Sequence, residues 1–330
     1  MTWLLDTTLR DGSHAVHHSF TAAQVGRVVR ALDAAGVPVI EVSHGDGLGG
    51  SSLQCGFSAE PEESLIAGAV TAAGQARIAV MSLPGMGAAE RIRRAVEAGA
   101  AIVRVAVLCM QAELAEAHLS AARAAGAEAI GFLMASHMRG PAELARQARM
   151  LESAGAGCVY LADSAGAMLP GDAAARVAAV REAVGVEVGF HSHNNLGAAI
   201  ANSIAALDAG ATWIDGSLRG LGAGAGNAAT ELLGVVLERR REGTHPDVPS
   251  LLDAAEFEVA PLMQVQPFPD RDSVHLGRVG IYSTFLAYAR RAAATYELDP
   301  AEIMRELGRR QAVVGQEDLV VEIAEELAAR

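Results

Sequence analysis

The chain has 330 residues, enough for one large domain and a smaller appendage. Hydrophobic residues make up 51% of it, a packed globular composition that excludes an intrinsically disordered chain. A net charge of −13 excludes the basic face that nucleic-acid binding requires, and no run of about 18 apolar residues is present to span a membrane. The start, Met1 to Asp6, lacks the basic-then-apolar pattern of a secretory leader. Cys55, Cys109 and Cys158 are too scattered for a zinc site or a disulfide framework. A cytoplasmic protein is the expectation.

Along the chain, short apolar runs alternate with longer Ala-rich stretches. The expected strands are Trp3–Asp6, Val37–Val42, Arg77–Ser82, Ile102–Val107, Ala129–Met134, Cys158–Ala162, Glu187–His191 and Trp213–Gly216. Their spacing of roughly 25 to 40 residues leaves room for a helix and two loops between neighbours. Thr21–Ala35 reads as a helix with Thr21 as N-cap, stopped by Gly36. Ala88–Ala98 stops at Gly99, Leu114–Ala125 at Gly126, Pro141–Ala154 at Gly155 and Leu196–Ala209 at Gly210. Alternating βα units in this number point to a (β/α)8 TIM barrel. A doubly wound open sheet competes, but it places a glycine-rich phosphate turn after its first strand. Here that turn is the polar, charged Thr7-Thr8-Leu9-Arg10-Asp11-Gly12.

After about Thr244 the pattern changes. Pro246, Pro249, Pro261, Pro267 and Pro269 mark a linker and irregular segments. Gly280–Tyr296, Asp299–Gly308 and Gln316–Ala329 then read as helices with no strand partners. The expected organisation is a catalytic barrel over residues 1–244 and a C-terminal helical extension over 245–330 that caps the site and offers a surface to a partner.

Barrel chemistry sits on the loops after the strands. His191 and His193 stand at the end of the seventh run, and residues two apart on a strand share a face. With Asp11 after the first strand they form a carboxylate and two imidazoles, a metal triad with open positions for a bidentate substrate. Taken alone, the pair is equally compatible with hydrogen-bonded strand-end histidines. Around it fall Glu41, His44 and Asp46 after the second strand, Asp163 and Ser164 after the sixth, Asn195 after the seventh, and Arg219 after the eighth. His17 and His18 read as solvated bystanders. Asp6 and Asp215 read as buried structural acids. Gly222-Ala223-Gly224-Ala225-Gly226 lacks the Lys and Ser/Thr of a nucleotide loop and reads as a tight turn that lets backbone approach the site.

These parts fit one chemistry. A divalent ion with about three open positions can take the carboxylate and keto oxygens of a 2-oxo acid and stabilise an enolate at C3. Arg10 can hold the developing oxyanion as a fixed donor, or serve only as a rim ion pair. His14 is a candidate general base, because imidazole titrates near neutrality. Three functions remain open on this basis: a pyruvate aldolase, a Claisen-type acyl-CoA lyase or synthase, and a silent barrel acting as a scaffold.

Thr7–Gly12 and His191-Ser192-His193-Asn194-Asn195-Leu196-Gly197 resemble the metal-dependent barrel lyases and synthases. The segments His44–Ser52, Gly131–Met138, Gly222–Ala228 and Gly315–Asp318 resemble, within that group, the 4-hydroxy-2-oxovalerate aldolase family. The synthases usually carry Glu-Arg in the glycine run, where Ala223 and Gly224 stand here. The resemblance implies cleavage of a 4-hydroxy-2-oxo acid to pyruvate and an aldehyde, as in aromatic hydrocarbon catabolism. It implies that Asp11, His191 and His193 bind Mn2+, with Mg2+ or Co2+ as alternatives. It assigns the enolate to Arg10, the 4-hydroxyl proton to His14, substrate orientation to Tyr282 and the pyruvate carboxylate to Ser164. It also implies an oligomer with an acylating aldehyde dehydrogenase partner. The chain departs from the family at Asn194, Val107-Leu108 and Met81-Ser82-Leu83, all near the mouth, which bears on the choice of aldehyde.

Overall fold

Eight parallel strands pair in sequence order and close on themselves: β1 (Trp3–Leu9), β2 (Val39–Val42), β3 (Arg77–Ser82), β4 (Ile102–Leu108), β5 (Glu128–Met134), β6 (Cys158–Asp163), β7 (Glu187–Ser192) and β8 (Trp213–Gly216). The structure is a computed structural model, described for residues 2–53, 55–86, 89–241 and 245–329. Between and after the strands run α1 (Ala22–Ala34), α2 (Glu62–Ala72), α3 (Ala89–Glu97), α4 (Glu116–Ala124), α5 (Pro141–Ser153), α6 (Pro170–Ala183), α7 (Ala199–Asp208) and α8 (Thr230–Arg240). This is the (β/α)8 barrel read from the sequence. Ala88, the expected start of the third helix, and Thr244, the expected domain boundary, lie outside the described residues.

The strands are apolar on both faces because both are covered. Leu5, Val39, Ala79, Ile102, Ile130, Tyr160 and Trp213 fill the interior. Val103, Val105, Leu133, Val159, Val188 and Phe190 face the helices. Thr21 caps α1 reciprocally with Gln24. The glycines ending five αβ turns, Gly36, Gly99, Gly126, Gly155 and Gly210, all have φ between 80° and 106°.

The proline-rich segment is more regular than expected. α9 (Val248–Asp253) runs into a π-helical turn, Ala254–Val259. Pro249 is tolerated because it stands in the first turn of α9, where a missing N–H costs nothing. Leu251, Ala254, Ala255 and Val259 pack with Val25, Val28 and Val29 of α1. Next come α10 (Arg271–Val279), α11 (Phe285–Tyr296), α12 (Pro300–Arg309) and α13 (Asp318–Ala328). They share a core built on Leu276, Ile281, Phe285, Ile303, Met304, Leu307 and Ile323. The helix expected from Gly280 starts only at Phe285. Gly280, at φ 70°, is the left-handed stop of α10, so residues 280–284 turn instead. That turn carries Tyr282 and Ser283 to the barrel. Among the described residues no helix is long and apolar enough to cross a membrane.

Candidate metal centre and active site

The site begins with an irregularity in β1. Asp6 pairs with Ile40 and Leu9 with Val42, so β1 carries one residue more than β2 over that interval. Such a bulge reverses which face the following side chains take. Leu5 lies in the barrel interior, whereas Leu9 packs outside with Val25 and Val28. Arg10 and Asp11 are thereby delivered to the mouth. On β7 the plain alternation suffices: Phe190 packs outward and His191 inward, with His193 on the same side just past the strand.

Asp11, His191 and His193 come together, all buried. Asp11 Oδ2 is 3.9 Å from Nε2 of each histidine, and the two Nε2 atoms are 3.4 Å apart. A point equidistant from the three atoms lies about 2.2 Å from each, the length of a metal–nitrogen or metal–oxygen bond. The residues therefore fit one divalent cation. Burial pushes His193 down to about 4, so its ring is neutral at ordinary pH, the form that can bind a metal. Burial disfavours the Asp11 carboxylate, but Arg10 and the two histidines outweigh it and hold the carboxyl well below its usual range.

Asp11 and His191 are each aimed by a neighbour, whereas the buried Nδ1 of His193 has no hydrogen-bond partner among the described residues. Asp11 Oδ1 accepts from Asn227 Nδ2 at 3.0 Å and from Ala223 N–H at 3.4 Å, turning Oδ2 toward the histidines. The glycine run reaches that close because Gly222 has no side chain: a Cβ there would sit 2.7 Å from Asp11 Oδ1. His191 Nδ1 donates to Asp215 Oδ2 at 3.0 Å, which leaves Nε2 as the lone-pair donor. Asp215 in turn accepts from Arg104 Nη2 at 2.5 Å. Arg104 is fully buried between the Phe132 and Tyr160 rings, and its Nη1 donates to Glu41 Oε2 at 3.1 Å. Glu41 Oε2 also accepts from Arg10 Nε at 2.7 Å. One chain of charges thus runs under the mouth from His191 to Arg10.

Arg10 donates Nη1 to Asp11 Oδ2 at 2.6 Å and Nε to Glu41. Among the described residues no hydrogen bond occupies Nη2. His14 lies in the 3-10 turn that follows β1, Asp11–Val16, with Nε2 3.9 Å from Asp46 Oδ1. Tyr282 Oη lies 3.9 Å from Met134 Sδ, and burial and Asp11 push its hydroxyl up against the opposing pull of Arg10. The turn before α11 therefore sets Tyr282 within electrostatic reach of the metal centre. Ser164 is held by its neighbours while its O–H makes no hydrogen bond among the described residues. Its Oγ accepts from Ala135 N–H at 2.9 Å, and its carbonyl accepts from Ser283 N–H and Oγ. Asn195 Nδ2 donates to Ser283 Oγ at 2.9 Å, and Asn195 Oδ1 accepts from Ala225 N–H. Ser164, Asn195 and Ser283 clasp the C-terminal helices to the barrel mouth. Asn194 caps α7 locally, accepting from Ala199 N–H.

A model of the HMGL-like family matches residues 2–257, and one of the DmpG-like communication domain matches residues 267–329. A 4-hydroxy-2-oxovalerate aldolase of Chloroflexus aurantiacus is 59% identical over 327 residues, 99% of this chain and 95% of that one. The Thermus thermophilus protein of the same name is 54% identical over 98% of this chain and 94% of its own. The chain belongs to the 4-hydroxy-2-oxovalerate aldolase family. The carboxyl transferase domain of Rhizobium etli pyruvate carboxylase shares the fold, with a TM-score of 0.82 at 17% identity over 99% of this chain and 60% of that one. HMGL-like aldolases depend on a divalent metal, in keeping with the three-ligand cluster.

Three parts of this site differ from the sequence expectation or lay outside it. Arg104, a charge inside the apolar β4, was not singled out from the sequence. Asp215 is more than a structural acid, because it fixes the His191 ring. His18 is no bystander: it is buried, 2.9 Å from Ser13 Oγ by its Nδ1, and stacked on His44 with ring centroids 3.7 Å apart. His17 is exposed, as expected. Asp6 is the structural acid expected, accepting from Thr230 Oγ1 and Thr8 N–H.

Asp215→Asn tests the clamp on His191. Loss of an outer carboxylate behind a ligating histidine costs about 10–100-fold in metal affinity. A Mn2+ titration is expected to show that loss with the fold retained. Unchanged affinity would reduce Asp215 to a counter-charge for Arg104.

Proposed function

We propose that this chain cleaves a 4-hydroxy-2-oxo acid, 4-hydroxy-2-oxopentanoate or a close homologue, to pyruvate and an aldehyde, with Asp11, His191 and His193 holding Mn2+. The observation that carries the reading is the buried Asp11–His191–His193 triangle with Arg10 bonded to one of its corners. Bound there, a divalent ion supplies Lewis acidity to the 2-keto group and lowers the cost of enolate formation.

The chain's own residues do the rest. His14 takes the proton of the 4-hydroxyl. As the C3–C4 bond breaks, its electron pair passes into the enolate of pyruvate and the aldehyde carbonyl forms. Arg10, pinned by Glu41, presents its remaining N–H groups to the developing oxyanion without having to reorganise. Tyr282 orients the substrate from the C-terminal side, and Ser164 contacts the pyruvate carboxylate. The enolate then takes a proton at C3 and leaves as pyruvate, and the helices α10–α13 cap the mouth and limit bulk water around it. Helices α10–α13, which lie within the match to the communication domain, offer the surface for an acylating aldehyde dehydrogenase and for self-association. Three unpaired cysteines fit a cytoplasmic setting.

The test is pyruvate release from 4-hydroxy-2-oxopentanoate, coupled to lactate dehydrogenase. Release is expected with Mn2+ and is expected to stop with chelator. A rate indifferent to chelator overturns the reading. His14→Ala is expected to lower kcat by about 10²–10⁴ while pyruvate and metal still bind, the range for a positioned base. Loss of metal in that variant would make His14 a ligand, and an unchanged rate would remove it from the chemistry.

A further inference from the structure

Beside the metal triad the mouth holds a second donor set that the cleavage chemistry does not use as such. Ring nitrogens of His14 and His18 and a carboxylate oxygen of Asp46 lie within 4.8 Å of one another. His14 Nε2 is 3.9 Å from Asp46 Oδ1. The His14 and His18 rings meet edge to face with centroids 5.1 Å apart.

The cluster is ordered by groups outside it. His18 meets Ser13 Oγ by Nδ1 at 2.9 Å and also hydrogen-bonds the Cys55 backbone, so these contacts set the ring and an arriving ion must displace one of them. His44 supports the His18 ring by stacking but is itself engaged, since its Nδ1 accepts from Asp46 N–H at 3.1 Å and its Nε2 meets Gly56 O at 3.2 Å. His17 and His18 both sit in the left-handed region, at φ 53° and 56°. Two consecutive non-glycine residues there are strained, and the loop holds that strain while placing this ring. Burial, together with His14 and His44, pushes His18 down to about 3, so it stays neutral. The His14 and Asp46 side chains are each 16% exposed, which leaves an ion a route in from solvent.

We infer that His14, His18 and Asp46 form a second divalent-cation site, able to hold zinc-class ions, whose occupation withdraws His14 from catalysis. Two imidazoles and one carboxylate match the first site in donor type. Nitrogen donors favour zinc over manganese or magnesium by the usual order of affinities. The site is looser and wetter than the first, so it fills second. Zinc can enter both sites, and the part of its inhibition that depends on His18 and Asp46 is the part assigned to the second site. The inhibitory consequence rests on the role proposed above for His14, whereas the binding does not.

The experiment is calorimetric titration of the metal-stripped full chain with Zn2+, paired with the cleavage assay on manganese-loaded protein. Wild type is expected to take two zinc equivalents per chain. His18→Asn and Asp46→Asn are each expected to take one, and Asn suits the left-handed position of residue 18. Asp11→Asn is expected to lose the tight equivalent and keep the weaker. Zinc is expected to inhibit cleavage in wild type, with the midpoint raised at least about 10-fold in His18→Asn. A single equivalent in wild type, or a second that survives both substitutions, overturns the site. Inhibition unchanged in variants that have lost the second equivalent overturns the link to His14. A second equivalent in a chain that fails to cleave the substrate keeps the site and removes the proposed function instead.

Discussion

Asp11→Asn is expected to lose metal and activity together while the fold survives. The amide keeps the shape and the contacts of Oδ1 but replaces the charged oxygen that faces both histidines. A direct ligand must cost more than an outer-shell partner, so affinity should fall by more than about 100-fold. Removing one partner of a buried ion pair usually destabilises a protein by about 3–5 kcal/mol. Here the surroundings soften that penalty. The buried network under the mouth contains the carboxylates of Asp11, Glu41 and Asp215 and the guanidiniums of Arg10 and Arg104. Without Asp11 it is charge-balanced, and Arg10 still has Glu41. A melting curve near that of metal-free wild type, with no metal by elemental analysis and no pyruvate release, is the expected result. Retained metal and retained rate would place the site elsewhere.

The same network shows where sequence reading stops. The strands were legible because parallel strands covered on both faces are continuous apolar runs, and the αβ turns because glycine punctuates each one. His191 and His193 were legible because a spacing of two fixes a shared face. The bulge in β1 was not, since it shows only in the pairing of Leu9 with Val42 on the neighbouring strand. Nor were the partners of Arg104. Asp215 lies 111 positions away along the chain and reaches it only because the barrel closes β8 beside β1. Tyr282 was legible only through the family's motif. Its delivery to the mouth depends on Gly280 ending α10 early and on Ser283 being held by Ser164 and Asn195, contacts between segments 88 and 119 residues apart. His18 was misjudged because a histidine-rich loop reads as solvated, whereas stacking on His44 buries the second of two adjacent histidines and leaves His17 in water.

Arg10→Lys isolates the enolate step, because exchange of the pyruvate methyl protons with deuterated water needs metal and an oxyanion donor but no aldehyde. Arg10 meets three demands at once: Nε on Glu41, Nη1 on Asp11 Oδ2, and Nη2 left over. The planar fork allows that division. A lysine offers one compact ammonium on a flexible stem and cannot hold two carboxylates while aiming a donor at a third oxygen. Placed between Glu41 and Asp11, the ammonium would settle on the acids and leave the oxyanion unattended. Losing one preorganised donor typically costs about 10²–10³ in rate. The exchange is therefore expected to fall by at least about 100-fold, with metal content near wild type because Asp11, His191 and His193 are untouched. Nuclear magnetic resonance of the pyruvate methyl signal reads the rate directly. Exchange at the wild-type rate in Arg10→Lys would reduce Arg10 to an ion pair at the rim. Loss of exchange together with loss of metal would show that the Arg10–Asp11 contact orients the ligand itself, and the two results are separated by measuring metal content on the same sample.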